Sequence, residues 1–138
     1  MDHKFMRVAL QEAKKAFLND DVPVGAVIVK DKKIIARAYN KKEKTKDVTN
    51  HAEIIALKKA SKKIGDWRLN DCIMYVTLAP CLMCVGAIMQ SRISKVVYGT
   101  WNDNVNYEWI KGKSFKMIGP MLEEDAITLL KDFFKAQR

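Results

Sequence analysis

Residues 72–100 constrain the fold of this chain more than any other stretch. CIMYVTL (72–78) is an apolar strand, PCLMCVGAIMQS (80–91) opens with a proline and reads as a buried helix, and KVVYGT (95–100) is a second strand. A strand, a helix and a strand in that order imply a parallel pair joined by a right-handed crossover. Upstream, PVGAVIVK (23–30) and KIIARAYN (33–40) are β-rich runs separated by Asp31-Lys32, the pattern of an antiparallel hairpin. Apolar residues at three- and four-residue spacings mark amphipathic helices over 3–18, over His51 to Lys63, and over the closing stretch LEEDAITLLKDFFKAQR. A polar loop is expected over 41–50 and a short last strand over Phe115 to Ile118. The order predicts an α/β fold of three α-β-α layers, with a mixed central sheet of about five strands. Helices 51–63 and 81–90 should lie on the same side, with their beginnings able to meet.

With 138 residues and no linker, repeat or low-complexity block, residues 1–138 are expected to form a single domain. The first residues, MDHKFMRVAL, carry charges among the apolar positions and do not read as a secretory signal. No run approaches the ~20 apolar residues that cross a bilayer. A cytoplasmic protein with no membrane contact is the expectation. A net charge of +9 favours polyanionic partners such as nucleic acid, although lysine-rich runs such as NKKEKTKD are equally what solvated turns contain.

Two motifs go beyond what packing requires. The helix at 51 opens with His51-Ala52-Glu53, and the helix at 81 opens with Cys81 and Cys84, three apart on one face. An imidazole and two thiolates make three metal ligands, the thiolates favoured by the positive end of the helix dipole. A structural zinc site is closed by a fourth protein ligand, whereas a catalytic one leaves that position to water. Cys72, at the start of its strand, and His3, near the terminus, are the remaining Cys and His candidates, and both look poorly placed. Glu53 suits the catalytic reading, because activated water needs a carboxylate to carry its proton to a substrate nitrogen and leaving group. A closed zinc site using Cys72, a redox C-x-x-C and simple core packing stand as alternatives. Spacing alone leaves one difficulty: residues two apart on a helix project about 200° from each other, so His51 and Glu53 converge only if the first turn is frayed.

HAE followed by PCLMC is the H-x-E…P-C-x-x-C signature of zinc-dependent base deaminases. With PVGAVIV, the Asn of RAYN, HAEIIAL, YVTLAPCLMC, SRISKVVYG and the final DFF, it resembles the bacterial tRNA adenosine deaminase family in order and spacing over nearly the whole chain. The resemblance implies a cytidine-deaminase-like fold and hydrolytic conversion of adenosine to inosine in tRNA. It implies one zinc ion per subunit on His51, Cys81 and Cys84, proton transfer by Glu53, and a homodimer. It also implies substrate contacts from Asn40, Ala52, Val24, Asn102 and Phe134. From its position alone Asn40 is as readily a turn residue as a base contact.

The chain departs from that family in three places. Leu78-Ala79-Pro80-Cys81 stands where the family reads Leu-Glu-Pro-Cys, and Asn102 and Asn104 replace an Asp and a Lys. The stretch 101–114, WNDNVNYEWIKGKS, is shorter than its counterpart. A small residue at position 79 resembles fungal-type cytosine deaminases. A deaminase of a free base, nucleoside or nucleotide such as cytosine or guanine is therefore the rival, and a zinc-stabilised RNA-binding module with a dead site is the non-enzymatic one. Trp101, Tyr107 and Trp109 beside Lys111, Lys113 and Lys116 suit either base stacking with phosphate binding or a packed lid. Helix 81–90 suits either the core or a subunit interface.

Overall fold

The structure, a computed structural model, describes residues 1–108 and 115–137. Its elements run α1 (His3–Leu18), β1 (Gly25–Lys30), β2 (Lys33–Tyr39), α2 (Lys42–Thr45), α3 (Ala52–Ile64), β3 (Cys72–Leu78), α4 (Leu82–Ser91), β4 (Lys95–Thr100), β5 (Lys116–Ile118) and α5 (Glu123–Ala136). The strands form one five-stranded sheet in the order β2-β1-β3-β4-β5. β1 is antiparallel to both β2 and β3, while β3, β4 and β5 are mutually parallel, so the sheet is mixed as expected.

Alternation along the strands divides the core into two layers. Ala26 and Ile28 of β1, Met74 and Val76 of β3, and Val96 and Tyr98 of β4 share one layer with Ala52, Ala56 and Ala60 of α3 and with Val85 and Ile88 of α4. Val27, Val29, Tyr75 and Val97 face the opposite way, onto Phe5, Met6, Ala9 and Leu10 of α1 and Ala126 of α5. Helices α3 and α4 thus occupy the same side of the sheet, as the crossover rule predicts. Gly25 lets α1 come unusually close, because a Cβ there would collide with the Ala9 carbonyl oxygen and the Ala13 amide.

The boundaries differ from the sequence reading in one instructive place. Within the stretch expected to be a plain loop, Lys42–Thr45 forms a one-turn helix. The Asp21 carboxylate, 1% exposed, accepts the Glu43 and Lys44 amides at 2.6 and 3.1 Å, satisfying groups that so short a helix cannot pair internally. No helix among the described residues is long and apolar enough to cross a membrane.

Candidate active site

His51 and Cys81 are the N-cap residues of α3 and α4, each with extended backbone (φ −74°, ψ 155° and φ −71°, ψ 172°) and neither using its side chain to cap. This resolves the 200° difficulty. His51 stands just off the helix that begins at Ala52, so its imidazole is not bound to the helical face sequence and can turn towards the neighbouring helix while Glu53 sits in the first turn. The His51 carbonyl still accepts the Ile55 amide at 3.1 Å, and the Cys81 carbonyl accepts the Val85 amide at 2.9 Å, so both side chains leave from well-anchored backbone.

His51 Nδ1 lies 3.5 Å from Cys81 Sγ and 3.7 Å from Cys84 Sγ. A tetrahedral ion with zinc–sulfur and zinc–nitrogen bonds of about 2.3 and 2.0–2.1 Å requires nitrogen–sulfur separations of about 3.6 Å. The three side chains therefore fit a metal without rearrangement, and they are the group among the described residues whose ligand atoms all lie within 4.8 Å of one another. Cys72 is outside this group. It begins β3, and the strand's seven residues, about 20 Å at 3.3 Å each, separate it from the loop that carries Cys81. His3 begins α1 in the other layer. The fourth position of such a metal thus has no Cys or His to close it among the described residues.

Hydrogen bonds within the cluster and burial set its electrostatics. A hydrogen bond from the Cys84 thiol, aided by His51, draws the Cys81 thiol down to about 4. That hydrogen bond to Cys81, together with burial and the nearby Glu53 charge, pushes the Cys84 thiol up. The hydrogen bond to Cys81 raises His51. Two thiolates, expected from the helix dipole alone, therefore do not coexist here. Cys84 is fully buried beside a carboxyl, and a divalent cation held by this group would let both sulfurs ionise. Glu53 is 3% exposed, and burial pushes its carboxyl up to about 7. It shares a hydrogen bond with Cys84 and has no ion pair among the described residues.

A cavity of about 200 Å³ opens over these groups, lined by Val22, Val24, Asn40, Lys42, His51, Ala52, Glu53, Leu78, Ala79, Cys81 and Asn102. Of the five residues assigned to substrate by resemblance, Val24, Asn40, Ala52 and Asn102 line it. Phe134 does not: it is 52% exposed and borders a separate groove with Trp101, Asp103 and Lys131, while its neighbour Phe133 is buried. Asn40 is both a wall residue and a turn residue. Its Oδ1 accepts the Lys42 amide at 3.1 Å and its Nδ2 donates to the Val22 carbonyl at 3.1 Å. Asn102 Nδ2 donates to the Ala79 carbonyl at 3.3 Å, tying the loop after β4 to the loop before Cys81.

One contributor, Lys42, escaped the sequence reading, and of the two roles open to Tyr107 the structure gives the packed one. Lys42 passed as part of a solvated turn, and only the helix pinned by Asp21 brings it to the cavity. Tyr107 is buried and its hydroxyl donates to the Pro80 carbonyl at 2.7 Å, bracing the residue next to Cys81. Half-exposed Trp101 packs at a tilt between Tyr98 and Tyr107, with centroids 5.1 and 4.5 Å away. Tyr107 is therefore a packed strut, and Trp101 alone of that pair presents surface. Trp109, Lys111 and Lys113 lie outside the described residues, and Lys116 is exposed at the start of β5.

The MafB19-like deaminase family profile matches residues 1–138. The chain belongs to that family. A tRNA-specific adenosine deaminase of Aquifex aeolicus (strain VF5) is 39% identical over 153 aligned residues, which cover 97% of this chain and 94% of the relative. The chloroplastic tRNA(adenine(34)) deaminase of Arabidopsis thaliana is 50% identical over 113 residues, 80% of this chain, although they span only 9% of that protein's length. A solved structure from work on A-to-I editing by tRNA:A34 deaminases at the wobble position of transfer RNA matches with a TM-score of 0.85 and 33% identity. It covers 94% of this chain and 100% of the other. The guanine deaminase of Bacillus subtilis matches with a TM-score of 0.68 and 41% identity over 73% of this chain and 66% of its own. The resemblance first seen in HAE and PCLMC thus extends across the deaminase fold.

Proposed function

We propose that the protein is a zinc-dependent hydrolytic deaminase that converts adenosine to inosine in tRNA, with residues 1–138 forming one catalytic domain. The observation that carries this reading is the geometry around Glu53: a buried carboxyl that lines the same cavity as a three-ligand metal group. His51, Cys81 and Cys84 would hold the zinc. When bound there, zinc lowers the pKa of a water towards ~7 and so supplies the nucleophile for C6 of the base.

The chain's own residues do the rest. Glu53 accepts the proton that the water gives up and passes protons to the ring nitrogen and then to the departing amine, a task suited to a carboxyl poised near neutrality. One water is consumed and one ammonia released as the C6–N bond breaks and a C6 carbonyl forms. Asn40 and Asn102 supply hydrogen-bonding edges, and Val24, Leu78 and Ala79 give the ring apolar walls. The net charge of +9 suits a polyanionic substrate. Exposed Leu82 and Met83 on α4 support a homodimer formed through that helix, and ligand thiols that must stay reduced suit the cytoplasm.

A second reading, deamination of a free nucleobase, is favoured by the size of the cavity and by the 41% identity to a guanine deaminase. One assay separates the two. Zinc-loaded protein is offered tRNA, single-stranded DNA, adenosine, cytosine and guanine, and the products are resolved by chromatography. Inosine in tRNA is expected. Turnover of guanine or cytosine with none of tRNA would overturn the leading reading, and ammonia from no substrate would leave the metal-stabilised binding module.

A further inference from the structure

The cavity holds a ring and little else. Its volume of about 200 Å³ lies below the roughly 300–1,000 Å³ of sites that enclose drug-sized ligands, so the sugar and phosphate of any nucleotide substrate stay outside its mouth. Four lysines lie next to that mouth in sequence: Lys41, Lys42, Lys44 and Lys46. Their environments differ. Lys42 alone of the four lines the cavity. Lys41 is turned onto the Tyr39 ring, with Nζ 4.8 Å from its centroid.

The backbone of Lys42 is held with unusual care for an exposed lysine. The buried Asn40 side chain accepts its amide at 3.1 Å, and the buried Asp21 carboxylate fixes the next two amides at 2.6 and 3.1 Å. Two buried polar side chains thus aim one basic turn at the mouth. No carboxylate among the described residues pairs with the Lys42 ammonium, whereas Lys15 and Arg37 are paired with Glu12 elsewhere. A rigidly based, unneutralised ammonium beside a base-sized cavity has the position and charge to bind the phosphate that flanks an inserted base.

We infer that Lys42 is the phosphate-binding residue of this site, so that the base is presented with its phosphate attached and not as a free base or nucleoside. This deepens the deaminase reading and rests on it. Its test compares the wild type with Lys42→Met, Lys42→Arg and the charge-matched control Lys62→Gln. Lys62 is exposed at the far end of α3, 11 residues and therefore about 16 Å along the helix from His51. Each protein is assayed on an RNA stem-loop and on the matching free nucleoside, and RNA affinity is measured by fluorescence anisotropy across a salt series.

Lys42→Met should weaken RNA binding and raise KM about tenfold with kcat little changed, and should reduce the salt slope by about 0.7–0.9. Lys42→Arg should restore most of the loss, Lys62→Gln should stay within about twofold, and Lys42→Met should lower kcat/KM on RNA several-fold more than on the nucleoside. RNA affinity and salt slope unchanged in Lys42→Met would overturn the assignment while leaving the deaminase reading intact. If the wild type deaminates nucleoside monophosphates but not RNA, the tRNA reading fails; the assignment then stands if Lys42→Met erases the preference for phosphate and falls if it does not. Turnover of free bases alone would end both.

Discussion

Two glutamates expose almost no surface in this molecule, Glu12 at 2% and Glu53 at 3%, yet Glu12 sits beneath half-exposed basic side chains and Glu53 lies deep in the fold. Glu12, on α1, receives the Lys15 ammonium at 2.7 Å and the Arg37 guanidinium at 2.9 Å. Burial pushes its carboxyl up, but the hydrogen bonds and charges of Lys15 and Arg37 outweigh that and hold it below the ordinary 4.5. Glu53, on α3, has no ion pair among the described residues, and burial outweighs the opposing charge of His51 to raise it to about 7. Burial alone therefore says nothing about the role of an acid. Depth and partners decide together: a carboxylate near the surface and paired with two cations holds α1 to β2, and a deeper one without an ion pair is left able to exchange protons.

The contrast can be broken in several ways. Glu53→Gln should lower kcat on the substrate by about 10²–10⁴, measured by steady-state product formation. The same substitution in metal-free protein should not reduce thermal stability above pH 7. A buried carboxyl whose folded pKa lies above its ordinary 4.5 loses stability as pH rises through about 7, and an amide does not. A chelator should reduce activity about 100-fold or more, with recovery on adding zinc. Failure of zinc to restore activity to correctly folded protein would count against the His51, Cys81 and Cys84 assignment.

Glu12→Gln should do the opposite of Glu53→Gln: about 2 kcal/mol less stable by denaturant melting, with kcat/KM within about twofold. Because the Glu12 carboxyl is held below 4.5, its contribution is present above that pH and fades as pH falls through it, so the acid limb of the stability profile should flatten in the variant. A loss of activity matching that of Glu53→Gln would erase the distinction between the two acids. The smallest effect is expected from Tyr107→Phe, which removes the 2.7 Å hydrogen bond to the Pro80 carbonyl: about 1 kcal/mol of stability and a few-fold change in kcat.

The sequence carried the repeating parts of this structure and missed the singular ones. Periodicity alone was enough for β3 and β4, whose limits at 72–78 and 95–100 match, and for α1 at 3–18. The three metal-group residues were legible because their types and spacing are rare outside such sites. Glu53 was legible from its place in His-Ala-Glu, whereas Glu12 read as an ordinary polar residue on an amphipathic helix, since Arg37 is 25 positions away and nothing local marks the pairing. Lys42 was invisible for the same reason: its position depends on Asp21, which lies 22 residues away from Glu43. The loop at 41–50 hid a helical turn because a four-residue element has no period to detect. Phe134 shows the reverse case, a motif residue whose side chain leaves the cavity for a neighbouring groove.

The floor of the cavity is built from the starts of α3 and α4, which are wedged into the sheet, whereas its rim comes from the pinned turn at 42–45 and the segment after β4. Chemistry and selectivity are thereby housed in different parts, joined where Asn102 and Tyr107 hold the loop before Cys81. Grafting a different rim onto this floor is a route to retargeting the reaction without rebuilding the machinery beneath it.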